Sequence, residues 1–323
     1  MTPPDLPAEL YAALDIKLYR LSRNDAAGRA AAISQTYRGG GNSSAIRNDG
    51  DALAYALARM PATYAALVAS LNAFREIRPD FAPVSLLDIG AGPGTAAWAA
   101  AEVFSSLNDF ALLDSNAALR TLALDLVSGS ARLRDVTYRQ GNALTTLNDA
   151  APADLVIASY LIGEMNDAEQ TALADMMWEK TRDTLVVIEP GTPAGYGRII
   201  ALRRRLIAQG AHVIAPCPHD AQCPLVAPDW CHFAQRLPRS RAHIALKAAA
   251  LPYEDEKFSY VALTRRPVVR PFARVLAQPS VSKIGITAKL CTREGLQIRS
   301  VSRRAKADYA RARRWRWGDA VGE

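Results

Sequence analysis

Cysteine is missing from the first two thirds of this 323-residue chain. Three of its four cysteines, Cys217, Cys223 and Cys231, lie within 15 residues, and Cys291 follows 60 residues later. Disulfides are rare in reducing compartments, and four thiolates can hold one tetrahedral metal ion or one iron–sulfur cluster. The clustering of these cysteines therefore favours a metal site over a disulfide framework.

Long uncharged apolar runs and a basic N-terminal leader are also missing. No apolar run reaches the roughly 18 uncharged residues that a membrane span needs. The first residues, MTPPDLPAELYAALD, carry acids, whereas a secretory signal or transit peptide carries Lys or Arg. We therefore expect a cytoplasmic chain that does not associate with membranes. Its 50% hydrophobic and 22% charged residues are typical of a globular protein.

Acidic residues are nearly absent from the C-terminal part of the chain. Between Val261 and Trp317 there are 15 Lys or Arg residues and two acids, Glu294 and Asp308, although the whole chain carries only +7. The rest of the chain is therefore acidic, at −6 by difference. A basic segment joined to an acidic one indicates a surface that binds a polyanion.

Aromatic residues alternate with arginine in this basic segment, for example in RSVSRRAKADYARARRWRW over residues 299–317. Arginine contacts phosphates, and rings such as Tyr309 and Trp315 can stack on unpaired bases. We therefore predict an RNA-binding surface here, extended by the arginines at 203–205.

Between Val84 and about residue 210, apolar strands alternate with helices. The strands are VSLLDIG, DFALLDSN, VTYRQGN, ADLVIASYL and DTLVVIEPG, and FSYVALTRR predicts a later returning strand. Such alternation predicts a mainly parallel sheet with helices on both faces. The expected fold class is therefore α/β, with a Rossmann-like sheet.

Three regions are predicted around this sheet. Residues 1–80 form an N-terminal helical region, in which Pro61 should kink or split the helix over 50–76 and the RGGGNSS stretch (38–44) should be a mobile loop. Residues 81–265 form the nucleotide-binding domain, with a Cys-rich insertion at 211–240. Residues 266–323 form a small basic unit, β-rich over 267–300 and helical over 301–317.

A glycine-rich turn, Asp88-Ile-Gly-Ala-Gly-Pro-Gly94, follows the first strand. Gly90, Gly92 and Gly94 allow a sharp turn and close approach of a ligand. Asp114 ends the next strand, where a carboxylate can bind ribose hydroxyls. A dinucleotide would place its pyrophosphate here, but Asp88 would repel phosphates and suits the ammonium group of a methionine moiety.

The string LLDIGAGPGT resembles motif I of class I S-adenosylmethionine-dependent methyltransferases, and the resemblance covers roughly residues 84–210. It implies that Asn142 meets the adenine and that Ser159 and Tyr160 lie beside the methyl group. The alternative is a Rossmann-like fold that has lost its ligand.

The end of the fourth strand limits the possible chemistry. Methylation of an adenine amine often uses an Asp/Asn-Pro-Pro-aromatic turn, whereas this chain has Ser159-Tyr160-Leu161-Ile162. Methylation of cytosine C5 needs a cysteine nucleophile, and none precedes Cys217. The catalytic residues therefore stay unassigned. Glu164 is the nearest acid, and a role in hydrogen bonding is favoured over catalysis.

The cysteine pattern leaves several alternatives open. It lacks a CxxC pair and so matches no common zinc finger, although His219 and His232 could substitute as zinc ligands. Cys-Pro pairs at 217–218 and 223–224 are compatible with loops that bind an iron–sulfur cluster. Four unrelated buried thiols are a further possibility.

The segments PCPHDAQCPL, DWCHFAQRLPRS, EDEKFSYVAL and LCTREG resemble the methyltransferase-like ribosomal small-subunit protein family, whose members are mitochondrial assembly factors and their bacterial relatives. The resemblance spans roughly residues 50–320. It implies a 4Fe-4S cluster on Cys217, Cys223, Cys231 and Cys291, with zinc as the alternative, and it places His219 and His232 around the cluster.

Three functions follow from the sequence and this resemblance. The first is an S-adenosylmethionine-dependent methyltransferase, monomeric when free, that acts on ribosomal RNA of the small subunit. The second is a non-catalytic assembly factor that uses the fold as a scaffold. The third is methylation of a small molecule or protein.

Overall fold

The computed structural model describes residues 5–18, 23–240, 243–244, 247 and 249–322. Its N-terminal region contains three helices, α1 (Ala8–Leu18), α2 (Arg23–Arg38) and α3 (Asp49–Arg75). Residues 19–22, which belong to the helical stretch predicted from the sequence, lie outside the described residues.

Helix α3 is continuous through Pro61, so the helix is not split there, and the predicted kink stays a prediction. Proline removes one backbone donor, but Met60 and Tyr64 on either side of it are buried in one core, and this packing supports the helix. By length and composition, α3 could cross a membrane. However, 61% of its most apolar 18-residue stretch is buried in the protein, as in the core helix of a globular domain.

The main sheet has eight strands in the order β3-β2-β1-β4-β5-β8-β6, with β7 paired to β8. The first five strands are parallel, and β8 runs antiparallel to β5 and β6. The strands are β1 (Ser85–Ile89), β2 (Asp109–Asp114), β3 (Thr137–Gln140), β4 (Ala153–Ser159), β5 (Thr181–Pro190), β6 (His212–Ala215), β7 (Phe233–Pro238) and β8 (Tyr253–Thr264).

Helices cover both faces of this sheet because successive strand residues point to opposite sides. Leu86 packs in the core that contains α3, α4 and α5, and Leu87 packs in the core that contains α6, α7 and α8. These helices are α4 (Thr95–Val103), α5 (Ala117–Val127), α6 (Ala143–Asn148), α7 (Asp167–Lys180) and α8 (Pro193–Ala208). The predicted Rossmann-like α/β fold is therefore confirmed.

The C-terminal residues form a second sheet, in which β11 pairs with β9, β10 and β12, and β13 pairs with β9. Strand β12 continues to Ser302, so the helix expected over 301–317 is limited to α9 (Lys306–Ala312). The strands are β9 (Ala273–Val275), β10 (Ser280–Val281), β11 (Gly285–Thr292), β12 (Gly295–Ser302) and β13 (Ala320–Val321).

Candidate functional site: a nucleotide cavity and a cysteine cavity

A cavity of about 490 Å³ lies at the carboxyl ends of β1, β2 and β4. This is where open α/β sheets bind ligands. The glycine turn after β1 forms its floor. Gly90 and Gly92 have φ angles of +69° and +54°, which favour glycine. A Cβ atom at Gly90 would lie 2.8 Å from Leu161 Cδ1, so this position also needs glycine for space.

Asp114 holds the turn in place. Its Oδ2 atom accepts a hydrogen bond of 2.9 Å from the Gly92 N–H, and its Oδ1 atom accepts one of 2.7 Å from the Asn116 N–H. The Tyr138 hydroxyl donates to the Gly92 carbonyl over 2.7 Å. Burial raises the pKa of Asp114, and its backbone donors oppose that effect. The carboxylate thus lies on the cavity wall with its turn preorganised.

Five of the residues predicted to contact the cofactor line this cavity: Gly90, Gly92, Asp114, Asn142 and Ser159. Asn142 also caps α6, since its side-chain oxygen accepts a hydrogen bond of 2.9 Å from the Leu144 N–H. The other two, Asp88 and Gly94, are absent from the lining. Both residues are buried behind the turn and do not face the cavity.

Asp88 is completely buried, and neither of its oxygens has a hydrogen bond of normal geometry. Burial, with a smaller contribution from the nearby Asp114, raises its pKa to about 8, while the Ala97 N–H acts in the opposite direction. The raised pKa shifts Asp88 towards its protonated form. Its contact with a methionine ammonium group stays a prediction.

This burial predicts a pH effect on stability. The Asp88 carboxyl ionises near its ordinary pKa of 3.8 in the unfolded chain but near 8 in the folded protein. The protonated carboxyl therefore contributes fully to the stability of the folded protein below about pH 4, and this contribution is lost as the pH rises through about 8. We expect Asp88→Asn to remove this loss, so the melting temperature of the variant relative to that of the wild type should rise between about pH 4 and pH 8. A difference in melting temperature that does not change with pH would contradict this prediction.

The N-terminal region forms the opposite wall, which the sequence did not indicate. The 38–44 stretch, predicted to be a mobile loop, is held by hydrogen bonds in the structure. Asn42 caps a short 3-10 turn, and the Ser43 carbonyl accepts a hydrogen bond of 2.9 Å from Asn116 Nδ2. The Ser43 N–H donates to Glu164 Oε2 over 3.3 Å, as expected for a hydrogen-bonding role of Glu164. The segment thus crosses from the end of β2 to the end of β4.

Tyr160 occupies the position after β4 in a left-handed conformation, with φ of +57°. Strained backbone of this kind is concentrated at functional sites. Its hydroxyl donates to Glu256 Oε1 over 2.9 Å, and Arg59 Nη2 donates to the same oxygen over 3.1 Å. Tyr160 and Arg59 line the cavity. The sequence analysis assigned no role to Arg59 and Glu256, because only the fold brings these distant residues together at the end of β4.

A second cavity brings the four cysteines together. Cys217, Cys223, Cys231 and Cys291 all line it, although they come from the loop between β6 and β7 and from β11. Burial raises the pKa of Cys217, Cys231 and Cys291, the last to about 12, and the thiols also raise one another's values. The site therefore disfavours free thiolates.

The cysteines surround this cavity without forming a compact ligand set. Among the described residues, no three Cys, His, Asp or Glu side chains are grouped closely enough to hold a single metal ion. The Tyr196 hydroxyl lies 3.2 Å from Cys223 Sγ, and His219 Nε2 lies 3.5 Å from Cys291 Sγ. His232 stacks on Trp230, with ring centroids 5.0 Å apart. Metal binding by this loop stays a prediction.

The basic C-terminal unit lies beside the cysteine cavity. Lys306, Arg313 and Arg314 are exposed. The Arg299 and Arg303 guanidinium groups lie over the rings of Trp315 and Tyr309, at 5.9 and 5.7 Å. Arg203 does not extend this surface, contrary to the sequence prediction, because it is buried with 3% exposure.

The strand order, the antiparallel β8 and the glycine turn with Asp114 define a class I methyltransferase fold. The chain belongs to the Rsm22 family, described as "Mitochondrial small ribosomal subunit Rsm22", whose sequence profile matches residues 49–322. The family resemblance predicted from the cysteine segments is thereby confirmed.

Two curated relatives are similar over most of this chain. The human protein "Ribosome assembly protein METTL17, mitochondrial" is 29% identical over 84% of this chain and 63% of its own length. The fission yeast "Rsm22-cox11 tandem protein 2, mitochondrial" is 28% identical over 69% of this chain and 33% of its own length. The chain thus spans less than two thirds of these relatives. They are all described as mitochondrial, which contradicts the cytoplasmic location expected from the acidic N-terminus.

Solved structures are similar at low identity. A putative RNA methyltransferase, PH1948 from Pyrococcus horikoshii, is 12% identical with a TM-score of 0.40, over 62% of this chain and 82% of that one. Magnesium protoporphyrin IX methyltransferase from Synechocystis PCC 6803 is 13% identical with a TM-score of 0.41, over 63% of this chain and 78% of that one.

Proposed function

We propose that this chain acts in assembly of the mitochondrial small ribosomal subunit, binds S-adenosylmethionine in the nucleotide cavity and carries a 4Fe-4S cluster in the cysteine cavity. Membership of the Rsm22 family supports the ribosomal role. The observation that carries the cluster assignment is the convergence of all four cysteines on one buried cavity.

The nucleotide cavity has groups suited to the ribose, the adenine and the methyl group of S-adenosylmethionine. The Asp114 carboxylate lies where ribose hydroxyls would bind, and Asn142 and Leu144 lie where the adenine would rest. When bound, the cofactor supplies an electrophilic methyl group beside Ser159 and Tyr160. Arg59 and Glu256 hold the Tyr160 hydroxyl at that end of the cavity.

The cysteine cavity offers four thiol ligands for a 4Fe-4S cluster, with zinc as the alternative. Two buried guanidinium nitrogens beside them, Arg203 Nε and Arg274 Nη2, have no hydrogen-bond partner. They are donors suited to the anionic sulfurs of a cluster.

The regions at 1–80, 81–265 and 266–323 are retained as proposed functional units, the last of them facing ribosomal RNA. Exposed Arg and Lys around Tyr309 and Trp315 support this assignment. If it is correct, the affinity for small-subunit RNA should fall steeply with salt, as for contacts to phosphates.

The free chain is proposed to be a monomer, which analytical ultracentrifugation tests.

The cluster and the cofactor are tested separately. Anaerobically purified protein should be brown and contain iron and sulfide, whereas a colourless protein with zinc would refute the cluster. Calorimetry should detect binding of S-adenosylmethionine, and the absence of binding would refute the enzyme proposal. A methyl-transfer assay on small-subunit particles then tests turnover.

A non-catalytic assembly factor is the second candidate. It is favoured by the turn after β4, where Tyr160 is bonded to Glu256 and no Asp/Asn-Pro-Pro-aromatic sequence is present. In that case S-adenosylmethionine could bind without any methyl transfer to RNA. Retained assembly activity in a variant that cannot bind the cofactor would favour this scaffold role.

A further inference from the structure

Two arginines are buried beside the four cysteines. Arg203 on α8 has 3% exposure and Arg274 on β9 has 1%, and both line the cysteine cavity. Arginine is almost never fully buried unless it is paired. Among the described residues, no carboxylate forms a salt bridge with either one. Two positive charges thus lie in the interior without a carboxylate in direct contact, although Asp319 acts on the Arg274 charge from a greater distance.

Each arginine uses part of its guanidinium group to hold the cysteine loop. Arg203 Nη2 donates to the His219 and Ala221 carbonyls over 2.7 and 2.9 Å. Arg274 Nε donates to the Pro216 carbonyl over 2.9 Å, and its Nη1 donates to the Gly318 carbonyl over 2.8 Å. The two side chains therefore fix the backbone on both sides of Cys217.

One nitrogen of each group, Arg203 Nε and Arg274 Nη2, has no hydrogen-bond partner of normal geometry, although the Arg203 side chain lies close enough to the Cys217 thiol to interact with it. A buried donor without a partner is unfavourable, and more so when it is charged. An unpaired buried charge is also strongly unfavourable. These two nitrogens are therefore suited to an anion in the cavity that can accept two hydrogen bonds.

The position of Arg274 links it directly to a cysteine. In the second sheet, Arg274 is the cross-strand partner of Cys291. Arg203 lines the same cavity from α8, next to Cys217 and Cys223, and donates to the carbonyls of the cysteine loop. The two guanidinium groups therefore reach cysteines from both segments of the proposed ligand set.

We propose that Arg203 and Arg274 are the built-in counter-charges of the cluster and donate hydrogen bonds to its sulfurs through their unpartnered nitrogens. This inference rests on the proposed 4Fe-4S cluster. Four thiolates make an oxidised cluster a net dianion, which the two arginines neutralise. Reduction adds one electron and one negative charge. Nearby cations stabilise that reduced form, so they raise the reduction potential.

The test is a redox titration with dithionite of the anaerobically purified full chain. We expect Arg203→Met and Arg274→Met each to lower the midpoint potential of the bound cluster by about 59 mV, a tenfold shift for one electron. Arg204→Met is the matched control, because Arg204 is adjacent on α8 but exposed. It should leave the potential unchanged. A purely structural role would lower thermal stability without moving the potential.

The lysine variants cover the case in which a methionine variant fails to retain its cluster. Arg203→Lys and Arg274→Lys keep the charge, so they should retain more iron than the methionine variants. Equal loss of iron from folded Lys and Met variants would overturn the role of charge, and unchanged potentials in all variants would overturn the whole inference. Wild-type protein without iron would instead refute the proposed cluster itself, and this inference with it.

Discussion

Cys291→Ser is expected to abolish stable binding of the cluster and to expose the C-terminal sheet to protease. Cys291 is buried on β11, whereas the other three cysteines lie in the loop between β6 and β7. A cluster on all four would therefore join the second sheet to the methyltransferase-fold domain. Without the fourth ligand this connection is lost, and iron per chain should fall towards background.

The proteolysis rate should rise by about tenfold, the change for each 1.4 kcal/mol of lost stabilisation. Cleavage follows the population of the open state when opening is fast. Other contacts limit the release. Arg274 bonds to Pro216, Trp317 Nε1 donates to the His232 carbonyl over 2.9 Å, and Lys289 pairs with Asp229. We therefore expect loosening of the unit and a nucleotide domain that stays folded.

Thr292→Ser is the matched control, because Thr292 is the buried neighbour of Cys291 and its hydroxyl donates to the Gly295 carbonyl over 3.0 Å. Serine keeps that hydroxyl, so both the iron content and the cleavage pattern should match the wild type. Equal cleavage of the Cys291 variant and this control would show that the cluster does not connect the two parts.

The main sheet could be predicted because its signals are local. Apolar strands, glycines after β1 and an acid after β2 each occupy a short stretch of sequence, and parallel connectivity brings their ends together. The order of the chain alone therefore places Gly90, Asp114 and Ser159 around one cavity. The absence of a split at Pro61 has the opposite cause, since packing far along the chain supports α3 against a local helix breaker.

The other wall of the nucleotide cavity and the buried arginines could not be predicted, because their roles depend on distant partners. Glu164 meets Ser43 across 121 residues, and Tyr160 meets Glu256 across 96. Arg203 stands in an RRR triplet that resembles a solvated basic patch. Only the fold shows that Arg203 points towards the cysteines while Arg204 is exposed.

Asp114→Asn should cause the largest loss of affinity for S-adenosylmethionine. The carboxylate would accept hydrogen bonds from the ribose, and bonds to a charged group contribute about 1.5–3 kcal/mol each. Loss of two such bonds predicts a Kd at least about 100-fold higher, at 1.4 kcal/mol for each factor of ten. The amide would also present a donor where Asp114 now accepts from the Gly92 and Asn116 N–H groups.

Asp109→Asn is the control for this experiment, because Asp109 lies exposed at the other end of β2. Calorimetry should give that variant the affinity of the wild type. Wild-type affinity in the Asp114 variant would show that the ligand does not use this strand end. If only the Asp114 variant loses the cofactor, its effect on small-subunit assembly separates the two proposed functions. An enzyme would lose assembly activity with its methyl donor, whereas a scaffold would retain that activity as long as the cysteine cavity and the second sheet stay intact.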